Sequence, residues 1–130
     1  MSRLLLDTHA FLWFVFDDER LSETVAALIE DPAIEKILSI ASLWEIAIKV
    51  SLGKLELGTS LDRFFATEIE GRDLELLAIT NAHLIRVAGL PFHHRDPFDR
   101  LIIAQAAIEG LPIATGDSCF APYGVMVAWE

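Results

Sequence analysis

Cysteine is almost missing from this chain. Cys119 stands alone, so no intrachain disulfide can form, and such usage fits a reducing, cytoplasmic setting. Long apolar runs are missing as well. The longest, Ala10 to Phe16, falls far short of the roughly 18 to 20 residues a membrane span needs, although the mean hydropathy is +0.43. Arg3 followed by leucines loosely imitates a secretory leader, but Asp7 and His9 interrupt it and no small-residue cleavage site follows.

Positive charge is scarce: 10 Lys and Arg stand against 20 Asp and Glu, a net charge of −10. Phosphate binding is driven by Lys and Arg, so the surface as a whole is a poor polyanion binder. A local basic rim is compatible with that balance. Lys49, Lys54, Arg95 and Arg100 lie near the acidic motifs described below, whereas Asp17-Asp18-Glu19 and residues 68–75 lie away from them. A glycine-rich phosphate loop, a Gly-x-Ser-x-Gly elbow, a Ser-His-Asp order and a Cys/His zinc spacing are all absent.

What is present is a core. With 53% hydrophobic residues over 130 positions, residues 1–130 form one domain, and a second would leave too little for either interior. Short apolar runs alternate with amphipathic stretches, the pattern of βαβ units around a mainly parallel sheet. Strands are expected at residues 3–6, 34–40, 74–79, 113–115 and 125–129. Helices are expected at 9–16, from Ser22 to about 31, from Ser42 to Gly53, at 61–70, from Thr80 to Gly89 and from Asp96-Pro97 to Gly110. Ser42-Leu43-Trp44-Glu45 has the form of a capping box. Asp96-Pro97 is a strong helix start, with an acid at the cap and proline at the first helical position.

Acids sit just beyond these runs. Asp7 follows the first strand amid core-type residues with no base in helical reach, so burial there demands a partner. Glu45 shares a helix face with Ala41, Ile48 and Leu52. Asp99 is the polar end of the stripe Ile102, Ile103 and Ala106, while Asp96 is best placed as a cap. Asp117 lies past a strand in Thr115-Gly116-Asp117-Ser118. If the strands are parallel, these carboxylates converge at the carboxyl edge, where open α/β folds place ligands. Two carboxylates about 5 Å apart repel by about 3 kcal/mol at an effective dielectric near 20, so several together call for a hard divalent cation. Among the histidines, His83 reads as a helix-surface residue, His93-His94 as a loop that can support the site or touch phosphate, and His9 as a neighbour of Asp7.

Taken together, Leu5-Leu6-Asp7-Thr8-His9-Ala10, Ala41-Ser42-Leu43-Trp44-Glu45-Ile46-Ala47-Ile48-Lys49, Gly53-Lys54-Leu55, the run from Leu90 to Ala106 and Thr115-Gly116-Asp117-Ser118-Cys119-Phe120 resemble PIN-domain proteins. The likeness is to the toxin component of VapBC toxin–antitoxin systems, and it covers essentially the whole chain. His93-His94-Arg95-Asp96-Pro97-Phe98-Asp99-Arg100 is its most specific part. The resemblance implies a three-layer α/β/α sandwich and an endoribonuclease dependent on Mg²⁺ or Mn²⁺. Its site acids match Asp7, Glu45, Asp99 and Asp117; Asp7, Asp99 and Asp117 would hold metal, with Asp96 belonging to the subgroup motif. It further implies structured RNA (tRNA or rRNA) as substrate, a cognate antitoxin, a homodimer and no membrane. Lys49, Lys54, Arg95 and Arg100 are the candidates for RNA contact.

Two enzyme rivals fail on the residues. A receiver domain needs an acidic pair after the first strand and a late lysine, yet only Asp7 follows that strand and no lysine occurs after Lys54. A haloacid-type phosphatase needs a second Asp where His9 stands. A PIN nuclease of RNA processing and an idle binding module with its acids serving as caps remain as alternatives.

Overall fold

Leucines 4, 5 and 6 set the architecture. In the first strand, β1 (Arg3–Leu6), all three are fully buried, with Leu4 and Leu6 facing one apolar cluster and Leu5 facing another. A strand buried on both faces belongs at the centre of a parallel sheet covered on both sides. A computed structural model describing residues 1–130 places it there: five parallel strands run in the order β3-β2-β1-β4-β5. Leu5 pairs with Ile37 on one side and Ile113 on the other. The remaining strands are β2 (Glu35–Ser39), β3 (Glu75–Leu77), β4 (Ile113–Ala114) and β5 (Val127–Ala128).

The helices are α1 (Thr8–Val15), α2 (Glu23–Glu30), α3 (Ile40–Ser51), α4 (Leu61–Phe65), α5 (Asn81–Ala88) and α6 (Pro97–Glu109). Phe11, Val25, Ile29, Ile46 and Phe64 cover one face of the sheet. Leu101, Ile102, Ile103 and Ala106 of α6 cover the other, completing an α/β/α sandwich. A fully buried leucine in such a layer is worth about 2–5 kcal/mol against alanine. No helix is long and apolar enough to cross a membrane.

Several expectations are corrected. The third helix starts at Ile40, capped by Ser39, whose hydroxyl accepts from the Ala41 amide; Ser42 lies inside the helix. The helix start is set by where β2 leaves the sheet, since Ser39 is the last residue paired with β3. The expected helix over 61–70 is α4 followed by a π-helical turn, Ala66–Glu70. The outer strands are shorter than their apolar runs. His83 is fully buried rather than on a helix surface. Its Nδ1 accepts from the Thr80 amide at 3.0 Å, and its Nε2 lies 3.0 Å from Glu109. Gly110 ends α6 at φ 67°, a conformation L-residues adopt at a cost.

Candidate functional site

Strand order reverses direction between β1 and β4, so the crevice at their carboxyl ends is the topological switch point. Asp7 emerges from β1 at that edge, and Thr115 and Asp117 follow β4. Asp7 caps α1, with Oδ1 accepting from the Ala10 amide at 2.7 Å. It is only 3% exposed, so this acid does more than cap a helix in water. Thr115, one residue past β4, is also buried; its hydroxyl accepts from the Asp117 amide at 3.1 Å and lies close enough to Asp7 to favour that acid's charged form. That hydroxyl thus lies between Asp7, just after β1, and the Asp117 backbone, just after β4. Sequence reasoning passed over Thr115, although its place two residues before Asp117 was the available signal.

Glu45 enters from α3. Because Ser39 rather than Ser42 caps that helix, Glu45 lies beyond the first turn and is not tied to a cap amide. Ser42 instead accepts the Thr8 hydroxyl at 2.9 Å, locking α3 against α1. Glu45 is 4% exposed. Its Oε2 is 2.9 Å from the Lys49 ammonium, one helical turn on, and its Oε1 is buried with no partner.

Asp99 comes from the first turn of α6, where the helix dipole favours an anion. Its Oδ2 lies 2.8 Å from His94 Nε2. Asp96 caps the same helix, with Oδ1 accepting from Phe98 and Asp99 amides at 2.9 and 3.1 Å. Ligand atoms of His94, Asp99 and Asp117 all lie within 4.8 Å of one another. Asp7 and Glu45 stand outside that tight trio but close enough for both to repel the Asp99 charge.

The electrostatics record the crowding. Burial pushes the Asp99 carboxyl up to about 6; Asp96, Asp7 and Glu45 add repulsion, and the His94 hydrogen bond opposes the rise. Burial also raises Asp7, against the Thr115 and Ala10 hydrogen bonds and the attraction of His9, while Asp117 adds to the rise. Asp117, which accepts from the Cys119 amide at 2.8 Å, holds the neighbouring thiol above its ordinary value.

Arg100 leaves the set of phosphate-contact candidates. It is 7% exposed, and its guanidinium donates to the carbonyls of Val87, Leu90, Pro91 and His94 and to the Tyr123 hydroxyl, at 2.8–3.4 Å. Phe92 covers it, 4.1 Å from ring centre to guanidinium carbon. Its role is to pin the loop before α6. Lys54 and Arg95 are exposed, and Lys49 is engaged by Glu45. His9 stacks on Trp13 at 5.7 Å.

A divalent cation fits this donor set: Asp7 and Glu45 are buried, one carboxylate oxygen is orphaned, and a single ammonium is the only Lys or Arg group bonded to any of the acids.

The fold has close counterparts among solved structures. VapBC2 from Rickettsia felis, bound to a DNA fragment from its promoter, superposes at a TM-score of 0.71 with 17% identity, covering 99% of this chain and 100% of that one. DNA-bound VapBC from Salmonella typhimurium gives 0.69 and 19%, covering 98% of each chain. VapBC-5 from Mycobacterium tuberculosis gives 0.65 and 21%, covering 100% of each. No curated protein sequence matches the chain. The PIN-domain profile matches residues 4–125, a span that takes in β1, the acids at the switch point and the start of α6, and on that match the chain belongs to the PIN-domain family.

Proposed function

We propose that this chain is a metal-dependent endoribonuclease, the toxin of a toxin–antitoxin pair. It would act on structured RNA (tRNA or rRNA) in the cytoplasm as a homodimer and be silenced by a cognate antitoxin protein. The observation that carries the reading is the orphaned Glu45 Oε1, buried among acids that repel one another. A cation supplied from outside the chain offsets that repulsion and gives the buried oxygen a partner. Family membership and the likeness to VapBC structures support the nuclease and toxin parts.

Asp7, Asp99 and Asp117 would hold Mg²⁺ or Mn²⁺, with Glu45 completing the site. When bound, the ion supplies an acidified water and charge stabilisation for the departing oxygen. The chain supplies the positioning. Thr115 holds the Asp117 backbone beside Asp7, and the α6 dipole steadies the Asp99 charge. Glu45, with an oxygen free of other bonds, is placed to orient the attacking water and take its proton. Lys49, Lys54 and Arg95 offer cations to the phosphate backbone.

The test is cleavage mapping on total RNA with purified protein and Mn²⁺, alongside Asp7→Asn and Asp99→Ala. Discrete cuts lost in both folded variants support the assignment, and full activity in Asp7→Asn removes it. Growth arrest on induced expression, relieved by co-expressing the neighbouring small gene, separates a toxin from an RNA-processing enzyme.

A further inference from the structure

The residue that the acid-based reading does not use is His94, yet it belongs to the tightest donor cluster in the protein. It is not a loose loop residue. Its carbonyl accepts from Arg100 and from the Tyr123 hydroxyl, both at 3.4 Å, and its neighbour His93 packs edge-on against Tyr123 at 4.9 Å. The buried Arg100 fork therefore holds the backbone that presents the imidazole, and a donor held by its surroundings is one a cation finds ready-made. The side chain is 21% exposed, leaving access for an ion.

Its chemistry differs from that of its neighbours. Mg²⁺ takes oxygen donors, whereas imidazole suits borderline ions such as Zn²⁺. One nitrogen and two carboxylates make three protein donors, the count of a zinc site whose fourth ligand is water. Ligand atoms about 2.0–2.2 Å from a tetrahedral ion lie about 3.3–3.6 Å apart, so a trio within 4.8 Å closes on the ion by about 1 Å at most. Glu45 Oε1, buried, unpartnered and near enough to repel Asp99, is an independent sign that positive charge is wanted here. No spacing in the sequence announces such a set, because the fold assembles it from the loop before α6, α6 itself and the segment after β4.

We propose that His94 is a nitrogen ligand that makes this centre prefer a borderline transition ion, Zn²⁺ foremost, over Mg²⁺. The proposal rests on the reading of the acids as a metal site. On binding, the His94 Nε2–Asp99 hydrogen bond breaks, both atoms turn lone pairs to the ion, and the ring's one proton sits on Nδ1 with any other released to solvent.

The experiment is calorimetric titration of the metal-free protein with Zn²⁺ and with Mg²⁺, together with ¹⁵N spectra of histidine-labelled wild type. Zn²⁺ is expected to bind the more tightly and to shift the His94 Nε2 resonance, assigned by its loss in His94→Gln. That variant is expected to lose about tenfold or more in Zn²⁺ affinity while Mg²⁺ affinity moves less than about twofold. An unmoved His94 resonance, or equal losses for both ions, overturns the proposal and leaves His94 as a positioning residue for Asp99. Binding of neither ion overturns it too, and removes the metal-site reading beneath it. The spectra need no substitution, so a misfolded variant does not blunt the result.

Discussion

Lys49 lies 2.9 Å from Glu45 Oε2, and the pair is the one contact between a Lys or Arg side chain and the candidate acids. In the metal-free protein this ammonium does part of a cation's work. Lys49→Met is expected to lower stability by about 1–2 kcal/mol, less than a fully buried pair because Lys49 is one-third exposed. Urea unfolding in a chelator measures it. Saturating Mn²⁺ is expected to recover much of the loss, and a deficit unchanged by metal would place the ion elsewhere.

The raised Asp99 carboxyl makes a signed prediction about pH. Folded, the group titrates near about 6 against an ordinary value of 3.8, so the unfolded chain ionises first. Its contribution to stability is full below pH 3.8, falls as pH rises to about 6 and is flat above. Asp7 works in the same direction. Asp99→Asn removes the Asp99 part of this loss. In a chelator, the variant's Tm minus that of wild type is expected to rise between pH 4 and pH 7; a difference that falls would contradict the burial argument.

Mn²⁺ separates an active centre from a set of helix caps. Added at pH 7, it is expected to raise the wild-type Tm by several degrees and Asp7→Asn by much less. Equal melting curves with and without metal would favour the idle module.

Arg100→Lys tests the pinned loop. A lysine keeps the charge but not the fork that reaches four carbonyls and a hydroxyl. The expected cost is about 2–4 kcal/mol in chemical denaturation with an unchanged m-value. A neutral result would mean that water satisfies those carbonyls.

Gly116 passes beneath Trp129 so closely that an added Cβ would lie 2.8 Å from the indole ring. Gly116→Ala is expected to cost about 1–3 kcal/mol and to shift tryptophan fluorescence as the ring moves. An unperturbed spectrum would show that the C-terminal segment yields freely.

Much of this was legible from local pattern. The central place of Leu4–Leu6 follows from a run apolar on both faces, and Asp96-Pro97 announced its helix without tertiary help. Ser42 misled because two serines three residues apart compete for one cap, and only the pairing of Ser39 with Leu77 decides between them. Arg100 and His83 were misplaced for a shared reason. Polar side chains read as surface until a fold surrounds them with acceptors, and their acceptors are backbone atoms or residues brought near only by helix packing. Asp7 and Asp117 follow strands, as their sequence setting suggests, whereas Glu45 and Asp99 enter from α3 and α6. The His94 nitrogen needed the loop geometry that Arg100 imposes.

The pairing of β1 with β4 joins residues 5 and 6 to residues 113 and 114. During synthesis, Asp7 therefore leaves the ribosome well before Thr115 and Asp117, which follow β4. Until β4 slots in beside β1, a growing polypeptide carries scattered carboxylates and no shared pocket.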